Sequence, residues 1–484
     1  MAPKNRSCPN LFPSRLSYDE EGKATNIKLL SLGRPHMRSF HLAWLGFFAA
    51  FTAWFALNPL LKKTIGPDLG LTEKQVAMSD IANVASTVVF RILVGPLVDK
   101  LGPRRVMSLV LALGCIPLGL VGLVSSATGL IVIRLFIGLL GSTFVACQYW
   151  TTAMFSRNVV GSANAIAGGW GNMGGGATYL LMPQVMNGFV SAGLSKHDAW
   201  RVSLVVPVAI CLLVSAMCYF LGDDKPNSRS LPMHIDSKPS ESTMGPEGTD
   251  IPKQAEDTAI IPVEPKDAGL ATSASNIPVY KIMMTALTNH NVPLLMMQYA
   301  CCFGVELAVD SVISKYFINH FKLDQTIAGY LASIFGMMNL FSRASGGFLS
   351  DWAASKWGMK GRLRVQSLGF LCSSACLIGF SFAPSLSTSV VSLVLFSYFV
   401  QAGCGSTFGI VPFVIPHIMG AVSGLVGAGG NIGGAIFNAV FTVYVDDLNT
   451  AFRIMGFVVF VCGAILNFFV RIRGESVITL WKRG

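Results

Sequence analysis

Two arginines in repeated surroundings carry the first chemical signal. Arg91 is followed by Gly95 and Asp99, and Arg343 by Gly347 and Asp351, with the same steps of four. Each arginine lies eight residues before the aspartate that closes its apolar stretch. That is about 12 Å along a helix axis, close to the middle of a bilayer. A cation at that depth costs at least ~2.5–3.5 kcal/mol on insertion scales, and arginine does not escape by losing its proton. Two of them, one from each half of the chain, repel unless an anion lies between them, and the chemistry this suits is anion binding. The alternative is that each guanidinium is balanced by its own carboxylate, with Glu306 and Asp310 as the available acids.

A second repeat supports the first. Gly171-Asn172-Met173-Gly174-Gly175-Gly176 recurs as Gly430-Asn431-Ile432-Gly433-Gly434-Ala435, in matching order relative to the arginines. Glycine on every face lets helices approach closely, and Asn172 and Asn431 can donate amide hydrogens without adding charge. Close helix crossing with no ligand is the plainer reading of the glycines. They do not form a dinucleotide loop, because no strand precedes them. Tyr299, Phe303, Glu306 and Asp310 follow at steps of four, three and four, which puts them on roughly one helix face. The rings could stack on a flat anion, and the acids could carry protons. Near one membrane surface, Gly95-Pro96-Leu97-Val98-Asp99-Lys100-Leu101-Gly102-Pro103-Arg104-Arg105 is echoed by Gly347-Phe348-Leu349-Ser350-Asp351. Asp99, Arg104, Arg105 and Asp351 there suit a latch built from charges and helix dipoles. Arg134 is a further intramembrane arginine.

These residues need helices to hold them. Of 484 residues, 52% are apolar and 13% charged, whereas soluble domains carry nearer a quarter charged. The apolar residues fall into twelve blocks: 42–61, 76–98, 106–125, 129–154, 159–186, 202–221, 292–313, 327–349, 365–383, 388–413, 422–445 and 452–470. Backbone groups in hydrocarbon must be paired within their own segment, so each block is a helix. The expectation is an all-α membrane protein of twelve transmembrane helices in two six-helix bundles, the major facilitator fold. Its parts are a terminal segment (1–41), a bundle (42–221), a linker (222–279), a second bundle (280–470) and a tail (471–484). The linker is rich in Pro, Ser, Thr, Glu and Lys, a composition that favours disorder. Lys and Arg concentrate in the loops on the side of both termini, which places both ends in the cytoplasm.

The net charge of +11 is spread between apolar blocks and does not form a nucleic-acid surface. It is a topology signal, and the apolar blocks imply the lipid bilayer as partner. The eleven cysteines show no disulfide or metal spacing, and no nucleophile-base set, cofactor loop or metal site is visible, so an enzyme is not expected.

The Gly95–Arg105 stretch resembles the signature loop of the major facilitator superfamily, and the paired glycine-asparagine motifs resemble those of its nitrate/nitrite porter family. Residues 168–179, Phe40-His41-Leu42-Ala43-Trp44, Cys147-Gln148-Tyr149-Trp150 and Phe303-Gly304-Val305-Glu306-Leu307 are similar to the high-affinity nitrate transporters of plants and algae. The resemblance covers essentially every helix. It implies nitrate held between Arg91 and Arg343, stacked on Tyr299 and Phe303, with hydrogen bonds near Asn172 and Asn431 and a contact from Phe47. Eukaryotic members of the family are proton-coupled importers at the plasma membrane, whereas some bacterial relatives exchange nitrate for nitrite. The resemblance therefore implies proton-coupled import with nitrite as a further substrate. Glu306 is the first candidate carrier, and Asp310 on the same helix face is the other. The long linker departs from the compact bacterial members and the short tail from many plant ones, which bears on regulation and on whether a small accessory subunit takes part. A carrier for phosphate or a small carboxylate, and a nitrate sensor signalling through its linker, are the competing expectations.

Overall fold

The structure is a computed structural model and describes residues 15–226 and 277–478. Twelve long helices run in chain order: α1 His36–Leu60, α2 Glu73–Leu101, α3 Pro103–Leu123, α4 Ala127–Met154, α5 Val160–Ser191 and α6 Lys196–Leu221. The second six are α7 Asn291–Phe321, α8 (325–357), α9 Met359–Phe380, α10 Leu386–Phe413, α11 Pro416–Val443 and α12 Leu448–Phe469. Ten of them are long and apolar enough to cross a membrane unaided. The other two, α5 and α8, carry the glycine-asparagine motif and Arg343, and their weak apolarity reflects polar groups turned toward the protein interior. The twelve expected blocks are all helices, and several extend past the block. Thus α1 starts at His36, before residue 42, and α9 at Met359, before residue 365. Polar turns at the membrane boundary continue the helix, which an apolar window does not register. Most of the expected linker (227–276) lies outside the described residues.

The helix ends are repeated between the halves as well. Ser126 caps α4 through the Gly129 N–H, and Ser385 caps α10 through the Thr388 N–H. The tight turns α2–α3 and α8–α9 each use a glycine in the left-handed region, Gly102 at φ +83° and Gly358 at φ +65°. The central helices are locally irregular at mid-membrane. α4 tightens at Gly138–Ser142, α8 tightens at Met338–Leu340, and α7 widens into a π-helical turn at Ala300–Gly304. Such departures free or redirect groups where a site needs them.

The glycine motifs form the helix crossings. A Cβ on Gly171 would enter the Phe47 ring of α1, and one on Gly430 would lie 2.7 Å from Tyr299 and 2.8 Å from Phe303 of α7. Across the bundle interface, Gly95 of α2 meets the Gly420 carbonyl of α11, and Gly347 of α8 meets the Gly161 carbonyl of α5. Any side chain at these positions would push the helices apart, so the packing reading of the glycines holds here. The glycines also decide where the rings sit.

Candidate functional site

Arg91 and Arg343 meet in the centre. Both are buried, at 0% and 2% exposure. The Arg91 Cζ lies 5.2 Å from the centre of the Phe303 ring and the Arg343 Cζ lies 5.8 Å from it. The two cations therefore flank one side chain, separated by no more than the sum of those distances. Their partners differ. Arg91 donates from Nε to the Gly141 carbonyl (3.1 Å) and from Nη1 to the Gly427 carbonyl (2.6 Å), and its Nη2 has no protein acceptor. Arg343 donates from Nη2 to Glu306 Oε2 at 2.6 Å, a buried ion pair, and its Nε has no acceptor. Balance by an acidic neighbour thus applies to Arg343 only.

Glu306 is 1% exposed and its carboxylate is saturated. Oε1 accepts from Asn172 Nδ2 of α5 (2.6 Å) and from Asn339 Nδ2 of α8; Oε2 accepts from Arg343 and from Cys404 Sγ at 3.6 Å. Asn172 therefore faces the centre, but its amide is engaged with the carboxylate. Asp310, one turn farther along α7, is exposed. The counted charges of this layer are two guanidiniums and one carboxylate, a net positive charge that a single monovalent anion would neutralise.

Aromatic rings enclose the layer. Tyr299 and Phe303 stack with centres 5.3 Å apart and planes 12° apart, and Phe144 of α4 lies nearly parallel to them, 7° from Phe303 at 6.4 Å. The Arg91 Cζ is 5.0 Å from the Phe144 ring. Ring faces attract guanidinium, so these side chains orient the arginines and exclude water, which strengthens every charge interaction inside. Phe47 packs on Phe144 and against Gly171, behind the layer. Around it, Tyr299 Oη and both side-chain polar atoms of Asn431 are buried without a protein partner. Buried polar groups are rarely left so, and several converging on one cation-lined layer mark a place for a small polar ligand. Phe144 escaped the sequence reading because a phenylalanine in an apolar block carries no signal of its own. It follows the tightened turn at Gly138–Ser142, whose Gly141 carbonyl accepts from Arg91.

The latch residues divide. Asp99 of α2 accepts from the Gly420 N–H (2.8 Å) and the Ala421 N–H (2.9 Å), where the α-helical part of α11 begins after a 3-10 turn. Asp351 of α8 accepts from Gly161 N (3.1 Å), Ser162 N (2.6 Å) and Ser162 Oγ (2.7 Å), the first turn of α5, and pairs with Arg362 at 2.6 Å. Each aspartate thus caps a helix of the other bundle, where the helix dipole favours a negative charge. Arg104 instead pairs with Asp224, just past the end of α6 (3.3 Å), and Arg105 is exposed, so the crossing contacts belong to the aspartates and not to these arginines. Arg134 also stays within its bundle, held by Asp80 (2.7 Å), Ser79 and Asn58. Hydrogen bonds joining the bundles cluster at the arginine layer and on the side of the termini, while Asp310 on the other side is open. The described conformation is therefore closed toward the termini. Among the described residues, no group of three or more His, Cys, Asp or Glu side chains could hold a metal ion.

Two bundles closing around a buried polar layer are the anatomy of a secondary transporter. Residues 43–438 match the Major Facilitator Superfamily. The fold is similar to the proton:xylose symporter XylE, with a TM-score of 0.63 at 13% identity over 91% of this chain and 98% of that one. It is also similar to the E. coli fucose:proton symporter FucP, with a TM-score of 0.58 at 15% identity over 90% and 99%. The chain is 36% identical over 405 residues to the High-affinity nitrate transporter 2.3 of Oryza sativa subsp. japonica, covering 83% of this chain and 71% of that one. To Nitrate transporter 2.1 of Chlamydomonas reinhardtii it is 36% identical over 415 residues, 84% and 68%. To the Nitrate/nitrite transporter NrtP of Nostoc punctiforme it is 27% identical over 476 residues, 90% and 92%. The chain belongs to the major facilitator superfamily and, within it, to the family of the high-affinity nitrate transporters of plants and algae. These are transporters and not enzymes.

Proposed function

We propose that this protein imports nitrate, and nitrite as a second substrate, across the plasma membrane by alternating access driven by protons. The observation that carries the reading is the central layer: two guanidiniums from opposite bundles beside one ring, one net positive charge, and orphaned donors on Arg91, Asn431 and Tyr299. The flat rings suit a planar ion, and a tetrahedral one would need more donors than converge here. The relatives' names point the same way. Nitrate enters from the face opposite the termini and bridges Arg91 and Arg343. The bundles then rock about it, and the caps made by Asp99 and Asp351 release. Both termini lie in the cytoplasm in this scheme.

Bringing an anion into a negative interior costs about 2.3 kcal/mol per charge at about 100 mV. Two protons per nitrate make the step electrically favourable, with Glu306 and Asp310 as their carriers. The test is current recording in expressing cells at two external pH values, with nitrate, nitrite, chlorate and phosphate added in turn. Inward positive current that grows in acid and follows nitrate but not phosphate is the expected result. Equal responses to phosphate would refute the substrate, and no change with pH would refute the coupling.

A further inference from the structure

The carboxylate of Glu306 is itself a flat, monovalent oxyanion, and its surroundings treat it as a ligand. Arg343 Nη2, Asn172 Nδ2 and Asn339 Nδ2 converge on its two oxygens, from α8, α5 and α8 again. These are the kinds of donor that a trigonal anion with three oxygens would engage. Arg91, by contrast, has no carboxylate partner: its bonds go to backbone carbonyls and one nitrogen is left over. The two arginines of the clamp are therefore not equivalent. Arg91 stands ready for an anion, whereas Arg343 and the two amides are already occupied by an anion the protein carries.

We propose that Glu306 is a built-in substitute for the transported anion, and that its protonation is what surrenders Arg343, Asn172 and Asn339 to nitrate. This rests on the nitrate reading above and adds the order and the linkage. In the resting protein the ion pair holds Arg343. A proton arriving from the open face, past the exposed Asp310, joins Glu306 and converts the carboxylate to a neutral acid. The neutral acid competes poorly for a guanidinium, so the three donors turn to the entering anion. When the anion leaves, Glu306 gives up its proton and takes its place. The charged and titratable groups facing Glu306 are Arg343 from α8, Cys404 from α10, Asp310 and Tyr299 from α7 itself, and Arg91 across the shared rings. None of them except Arg343 is in direct charge contact with the carboxylate. Because Asn172 belongs to the opposite bundle, the exchange also changes a bond that ties the two halves together.

The prediction is quantitative. When anion binding requires one group to take up a proton, affinity changes about tenfold per pH unit over the range in which that group is ionised in the free protein. Nitrate binding to the purified full-length protein in lipid nanodiscs, followed by tryptophan fluorescence across that range, should weaken about tenfold per unit of rising pH. In E306Q it should be tight and independent of pH. A second measurement needs no variant: adding nitrate to the unmutated protein in weak buffer should withdraw about one proton per nitrate bound, read with an indicator dye, and adding chloride should not. Nitrate binding without proton uptake would overturn the substitution while leaving the nitrate reading intact, as would an E306Q protein that keeps the pH slope of the parent. Failure of nitrate to bind at any pH, with another anion binding instead, would overturn the nitrate reading and the substitution with it.

Discussion

The arginine-glycine-aspartate segment of α2 and its counterpart in α8 have the same spacing and the same backbone duties, yet their charges are managed differently. Gly95 and Gly347 each touch a carbonyl of the opposite bundle, and Asp99 and Asp351 each cap a helix there. In the first half neither Arg91 nor Asp99 has an oppositely charged partner at ion-pair distance among the described contacts. In the second half both charges are paired, Arg343 with Glu306 and Asp351 with Arg362. In the proposed cycle, duplicated backbone geometry would let the halves rock as equals. Unequal charge pairing gives one half groups that ligand or proton can switch. A symmetric clamp would bind an anion without linking it to anything else.

The largest expected effect tests the arginines themselves. Either R91A or R343A should reduce nitrate uptake at least about 100-fold, since each removes charge-assisted bonds of ~1.5–3 kcal/mol apiece. Normal uptake by either variant would end the clamp. Their stabilities should separate. R343A strands the buried Glu306 carboxylate, which costs about 3–5 kcal/mol, whereas R91A strands no carboxylate. Melting of the purified variants should show R343A far less stable, and the double variant R343A/E306A should recover stability without recovering transport. Equal melting of R91A and R343A would erase the distinction between the halves.

The aspartates give a smaller contrast of the same kind. D351N leaves Arg362, 2% exposed, without its counter-charge and should cost ~3–5 kcal/mol. D99N keeps an oxygen that can accept from Gly420 and Ala421 and should cost about 1 kcal/mol. Both should loosen closure on the side of the termini, read as faster labelling of a cysteine introduced at that seam. Comparable melting of the two variants would show that the Arg362 pair adds nothing beyond the cap.

The unequal pairing explains what the sequence could and could not reveal. Twelve helices follow from the apolar blocks, and the repeat from spacing alone, because both are periodic properties of a single chain. The meeting of Arg91 and Arg343 at one ring was inferable from symmetry. What symmetry could not supply was the difference between them. Glu306, just past the π-helical turn at Ala300–Gly304, reaches Arg343 of α8 and not Arg91. Asn172 looks like the twin of Asn431, yet one donates to Glu306 and the other has no protein partner. Phe144 became visible only once α4 was placed against α2. Arg104 and Arg105 drew attention by their charge, although Arg104 turns to Asp224 and Arg105 faces outward.

A carboxylate outside the membrane sharpens the comparison with the least expected effect. Asp68, at the end of the short helical turn Gly66–Asp68 that follows α1, accepts from His197 (2.8 Å), Trp200 (3.0 Å) and Arg201 (2.9 Å) at the start of α6. Burial pushes its carboxyl upward, but the three donors together outweigh that and hold it below the usual carboxylate range. A depressed folded value means that this tie is fully present above the ordinary carboxylate pKa and is lost only as pH falls through the lower folded one. The tie therefore stays intact between about pH 7 and 5, the window in which acid should drive uptake. D68N should accordingly lower the melting temperature slightly and leave the acid stimulation of nitrate current unchanged. If D68N abolished that stimulation, proton sensing would lie at the turn after α1, and the unequal pairing of the central arginines would no longer be its source.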